Sequence, residues 1–255
     1  IDNMLNINHA ENCNNFLKLD NINKQTNFTN KVEYEGLLVK VKSNTSNKIT
    51  ILKFQTNSYQ FMSMLNPNNN NMFLNFIELY QKDKLKEHLD FFPNNSKMNL
   101  DENNSYDTIG VIDAMFKVIT SELFEIFKFF YDLKKCTHKN TSMYKKLPNE
   151  YTVVLYKIRG IYYKKKEKFI KDKQNDKVGT GNNYFNHGLK IYDIYDMLKK
   201  TYDIKELINL LKVRNSLYND FILNKDNNIY SNVEIKSDKI SLKMANNLLN
   251  KIFSE

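Results

Sequence analysis

From residue 109 to residue 133 the chain carries an apolar stripe at helical spacing: Ile112, Met115, Phe116, Ile119, Leu123, Ile126, Phe127, Phe130 and Leu133. Val111, Val118, Phe124 and Phe129 add apolar surface beside it. A helix apolar around most of its circumference has to be surrounded by other elements, so this segment is expected to form the centre of the fold. Asp107 or Ser105 is placed to cap its start. Asp113, Lys117, Glu122, Glu125 and Lys128 interrupt the apolar run, which excludes a transmembrane span.

The remaining elements are read outward from that helix. Residues 1–30 are rich in asparagine and read as a partly ordered arm. Two β-branched, apolar runs, 32–41 and 49–54, flank the polar stretch 43–47 and predict an antiparallel β-hairpin. Tyr59 to Met64 offers a third strand. The asparagine run after Pro67 is a connector and a sub-boundary near 66–71. Phe73, Phe76, Ile77 and Tyr80, continued by Leu85, Leu89 and Phe92, predict a helix stopped by Pro93.

Beyond the central helix, Tyr151, Val154, Leu155, Ile158 and Tyr162 fit helical spacing and lead into a lysine-rich run. A short helix follows at 189–200, with Tyr192, Tyr195 and Leu198. Asp203 and Glu206 form a capping-box pattern for a helix over 204–223 with Leu207, Leu210, Leu211 and Leu217 inside. Residues 229–235 read as a lone strand. Ser237 opens a last helix with Ile240, Met244, Leu248 and Ile252 on one face. The expected fold is therefore α+β and mainly helical. It has five to six helices around the central one (about 108–135), a small N-terminal antiparallel sheet, and a single domain over 31–255.

Composition bears on function through its charge. The net charge is +9, yet lysine outnumbers arginine thirty-six to two, Arg159 and Arg214, and forty of 255 residues are asparagine. Both favoured residues have A-rich codons. The bias resembles that of proteins from AT-rich genomes such as those of malaria parasites; it covers the whole chain and identifies no family. A site that grips phosphate in two-pronged fashion needs the arginine fork, so most of the lysine excess reads as a solvated surface. One stretch is the exception. Over 156–173, lysines interleave with tyrosines, a pattern that can pair phosphates and stack bases, or that can equally be a basic amphipathic helix end.

Other constellations are weaker. His9, Cys13, Cys136 and His138 hold zinc-type donors, but the C-x-H spacing is too short for a usual knuckle. A Cys13–Cys136 disulfide requires an oxidising compartment. Gly179 and Gly181 lack the lysine and third glycine of phosphate-binding loops. Asp193, Asp196 and Asp203 lie among lysines and read as an ion-paired face, and His187 has no evident partner. The opening Ile1-Asp2-Asn3 reads as the start of an excised or processed segment.

These readings assign no catalytic, cofactor-binding or metal residue. The expected function is a non-enzymatic protein–protein interaction or adaptor module. The alternative is a nucleic-acid or anionic-membrane-surface binder using Lys157, Arg159, Lys164, Lys165, Lys166 and Lys168.

Overall fold

A computed structural model describes residues 35–42, 49–65, 70–101, 104–132, 137–174, 188–224 and 229–253. The asparagine-rich arm, His9, Cys13, Cys136, the glycines at 179 and 181, and His187 lie outside them. The fold is α+β and mainly helical, with two small antiparallel two-stranded sheets among the described residues. Two compact units divide the chain, Ile1–Leu79 with Asp83–Ser96, and Tyr80–Lys82 with Lys97–Glu255.

In the first unit, β1 (Gly36–Lys42) pairs antiparallel with β2 (Ile49–Gln55), from Gly36 opposite Gln55 to Lys42 opposite Ile49. Gly36 has φ 155°, and a Cβ there would sit 1.9 Å from the Phe54 carbonyl oxygen, so no other residue fits. The expected third strand is instead helix α1 (Asn57–Met64). Thr56 starts it by accepting a bond from Tyr59 N at 3.2 Å, and this cap decides an apolar run too short for periodicity to classify.

The helix expected to run unbroken to Pro93 is two helices, α2 (Met72–Gln81) and α3 (Leu85–Phe91). Asp83 breaks it by adopting a left-handed conformation, φ 55°, and Lys84 N closes the turn on Leu79 O at 2.8 Å. Phe76, Ile77, Leu79, Leu85 and Leu89 are buried as the stripe required. His88 is buried with them, its ring 5.7 Å from Phe76 and 4.7 Å from Phe92, and its Nδ1 lies 2.6 Å from Leu65 O.

The second unit is built on the central helix, α4 (Thr108–Phe130). A three-residue ladder, β3 (Lys97–Asn99) with β4 (Ser105–Asp107), leads into it. Asp107 is its cap, accepting from Gly110 N at 2.7 Å. The helix stops at Tyr131, earlier than Leu133, because Tyr131 turns extended (φ −129°, ψ 140°) to pair with His138. Val111, Ile112, Met115, Phe116, Ile119, Leu123, Ile126, Phe127 and Phe130 are all buried.

After the short α5 (Thr141–Tyr144) comes α6 (Asn149–Gln174), which buries Tyr151, Val154, Leu155, Ile158 and Tyr162 as its periodicity predicts. Helix α7 (Ile191–Asp196) continues into a π turn, Met197–Thr201, closed by Tyr202 N on Met197 O at 2.8 Å. Asp203 caps α8 (Ile204–Asn224), accepting from Glu206 N at 3.2 Å.

The lone strand expected over 229–235 is a 3₁₀ turn, Ile229–Ser231, that buries Ile229 and Tyr230. Helix α9 (Lys239–Phe253) is capped by Asp238 rather than Ser237, with Ser241 N 2.8 Å from its Oδ1. The buried face of α9 is Ala245, Leu248, Leu249 and Ile252, rotated from the expected stripe so that Ile240 is 71% exposed. Against α4, helix α9 packs most extensively and α7 next.

Candidate functional site

Each of the chain's two arginines lies against tyrosine rings, and Arg214 is buried. Arg214 on α8 meets Glu122 on α4, with both side chains 2% exposed. Its Nε donates to Glu122 Oε2 at 2.9 Å, and Nη2 donates to Oε1. Nη1 reaches Asn246 Oδ1 on α9 at 2.5 Å, and the guanidinium lies 4.4 Å from the centre of the Tyr218 ring. Tyr230 OH also donates to Glu122 Oε2 (3.1 Å) and lies 2.9 Å from Tyr151 OH. Burial, reinforced by the Glu122 charge, pushes both phenols well above their usual range. This group ties α4, α6, α8 and α9 together.

Arg159, placed in the polyanion-binding set from sequence, sits 5.6 Å from the Tyr131 ring and 5.4 Å from the Tyr163 ring, and Nη2 donates to Tyr163 OH at 3.1 Å. Lys157 pairs with Glu206 and lies 4.3 Å from the Tyr202 ring. Lys165 pairs with Asp193 at 2.7 Å. Lys164 and Lys168 are exposed and Lys166 is half-buried; none of these three has a carboxylate partner among the described residues. The structure therefore commits half of the six to contacts within the chain. Of the tyrosines, Tyr162 is buried while Tyr156 is 72% exposed.

The acidic candidates are also separately engaged. Asp193 holds Lys165 and accepts from Lys190 N at 2.7 Å, Asp196 pairs with Lys200, and Asp203 caps α8. Among the described residues no group of three or more His, Cys, Asp or Glu is placed to hold a metal ion. His138 packs 4.5 Å from the Tyr131 ring and 5.0 Å from the Tyr144 ring.

A cluster not read from the sequence lies between α4 and α7. Asp113 Oδ1 accepts from Tyr80 OH (2.7 Å) and from Tyr195 OH (2.8 Å), and Oδ2 pairs with Lys117 at 2.6 Å. Burial works to raise the Asp113 carboxyl, but Lys117 and the two phenols outweigh it and hold the group below its usual range. Burial pushes the Tyr195 phenol up to about 12. Gln81 Nε2 adds bonds to Leu198 O (2.6 Å) and Tyr202 O (3.2 Å), on the π turn and its cap. These bonds fix the register of α7 against α4.

Beside this anchor is a groove of about 260 Å³ lined by Lys117 and Thr120 of α4 and by Ile191, Tyr192 and Tyr195 of α7. Asp113, Lys117 and Thr120 recur at helical spacing, which brings anchor and groove wall onto one face of α4. The lining presents mostly apolar surface: the Thr120 hydroxyl bonds Phe116 O at 2.7 Å, and the Tyr195 hydroxyl is turned onto Asp113. Ile191 and Tyr192 remain 44% and 53% exposed. Lys165 lies 5.1 Å and Lys190 5.8 Å from the Tyr192 ring, so ammonium groups border an apolar floor. Such a site can take an apolar side chain and interact electrostatically with groups around it.

No family model, curated protein or solved structure compared with the chain matches it.

Proposed function

We propose that the chain is a non-enzymatic protein-interaction module whose docking site is the α4–α7 groove. The observation that carries this reading is a pair of exposed apolar side chains, Ile191 and Tyr192, on a helix held by the Tyr80–Asp113–Tyr195 bonds. A partly exposed aromatic and aliphatic pair on a rigid support suits a binding hot spot, because little backbone freedom remains to be lost on association. Selection of an unbiased linear peptide library on the folded chain tests it. Selected peptides should lose at least about tenfold in affinity for Tyr192→Ser or Ile191→Asp. Peptides indifferent to both substitutions would place the docking site elsewhere.

The nucleic-acid or anionic-surface reading draws on Lys164, Lys166 and Lys168, which lack carboxylate partners among the described residues. It requires binding that falls steeply with salt and is lost when these lysines become glutamate. No described helix is long and apolar enough to cross a membrane.

A further inference from the structure

The groove and the basic run on α6 meet at one point. Lys165 of α6 lies 5.1 Å from the Tyr192 ring and 2.7 Å from Asp193, which places this part of α6 beside the start of α7. Lys168 follows Lys165 by three residues and Lys164 by four, so the three lysines occupy neighbouring positions on the helix surface. On the α7 side, Lys190 is exposed and 5.8 Å from the same ring.

Charge around the groove is unevenly compensated. Lys117 is matched by Asp113 and Lys165 by Asp193. Lys164, Lys168 and Lys190 are exposed with no carboxylate partner among the described residues. Beside the apolar floor, Lys190 is thus a cation that no described carboxylate pairs, and Lys164 and Lys168 extend the unpaired charge along α6 next to Lys165. Polyanion binding keeps Tyr156 and Tyr163 exposed for stacking, but the arginine of the stretch, Arg159, is held against tyrosine rings and half of the six basic residues are already engaged within the chain.

We infer that the occupant of the groove is an acidic amphipathic segment of a protein partner. Its apolar side chain enters between Lys117, Ile191 and Tyr192, and its carboxylates lie over Lys164, Lys168 and Lys190. The inference rests on the groove being a docking site, as proposed above. Complementary charge at the edge of an apolar site raises the association rate and selects against basic competitors.

The test is the composition and charge dependence of peptides selected on the wild-type chain, measured by fluorescence anisotropy. The expected peptides carry Asp or Glu around an apolar anchor. They should weaken about tenfold when those acids become Asn or Gln, and by a similar factor on a Lys164→Glu, Lys168→Glu, Lys190→Glu chain. Peptides that need Tyr192 but are neutral, or that ignore the three lysines, overturn the acidic partner and leave the groove standing. If no selected peptide needs Tyr192, both readings fall. A single-stranded oligonucleotide or phosphatidylserine vesicles that bind as tightly as the peptides, and still bind Tyr192→Ser, would also overturn both.

Discussion

Arg214 and Glu122 are 92 residues apart in sequence and meet as a two-pronged ion pair in the interior. Two charges out of water are tolerable only if every pole is satisfied, and here Asn246, Tyr230 and the Tyr218 ring complete the set. Arg214→Lys should destabilise the second unit by about 2–4 kcal/mol, since an ammonium cannot reproduce the fork. Glu122→Leu or Arg214→Met alone should cost about 3–5 kcal/mol, because each leaves a buried group without its partner. The double variant Glu122→Leu, Arg214→Met should lose less than the sum. Urea midpoints of the four chains check this cycle.

Asp113 carries a pH dependence. Its carboxyl is held below its usual range in the folded chain, so its contribution is present above the unfolded value near 3.8 and disappears as pH falls through the folded value. Asp113→Asn should weaken the Tyr80 and Tyr195 bonds and flatten this acid limb. Chemical denaturation at pH 7 and at pH 3 reads both effects.

His88 acts at milder pH. Burial pushes its imidazole below the ordinary 6.5, against the opposing pull of Leu65 O. The unfolded chain therefore binds the proton first, and the first unit should lose stability as pH falls below about 6.5 towards the folded value. Imidazole proton resonances followed by NMR should show His88 titrating below an exposed histidine. His88→Phe should remove this part of the pH dependence.

Gly36→Ala should disrupt the hairpin, because the added methyl carbon would lie 1.9 Å from Phe54 O at a φ that side chains avoid. Amide exchange across β1 and β2 should rise in this variant. Asp83→Gly should instead stabilise the α2–α3 turn by up to about 1 kcal/mol, since glycine accepts the left-handed backbone freely.

Much of the architecture was legible where apolar periodicity was long or a cap was explicit. The stripes of α4 and α6 and the Asp203 cap of α8 are of this kind. Short runs were ambiguous: Tyr59 to Met64 reads as strand until Thr56 is seen to bond Tyr59 N. The break at Asp83 has no glycine or proline to mark it. The buried ion pair did leave a trace. Glu122 occupies the stripe of Ile119 and Ile126, and Arg214 that of Leu207, Leu211 and Leu217, so two opposite charges sit at core positions of two separate helices. The groove left none, since Asp113 meets Tyr80 and Tyr195 through pairings 33 and 82 residues apart that no local pattern encodes.

The most direct measurement is a chemical-shift map of the isotope-labelled chain titrated with a selected peptide. The docking account expects the largest perturbations at Lys117, Thr120, Ile191, Tyr192 and Tyr195, with smaller ones at Lys164, Lys168 and Lys190. Perturbations confined to the β1–β2 hairpin or to α9, with the groove residues unmoved, would contradict it.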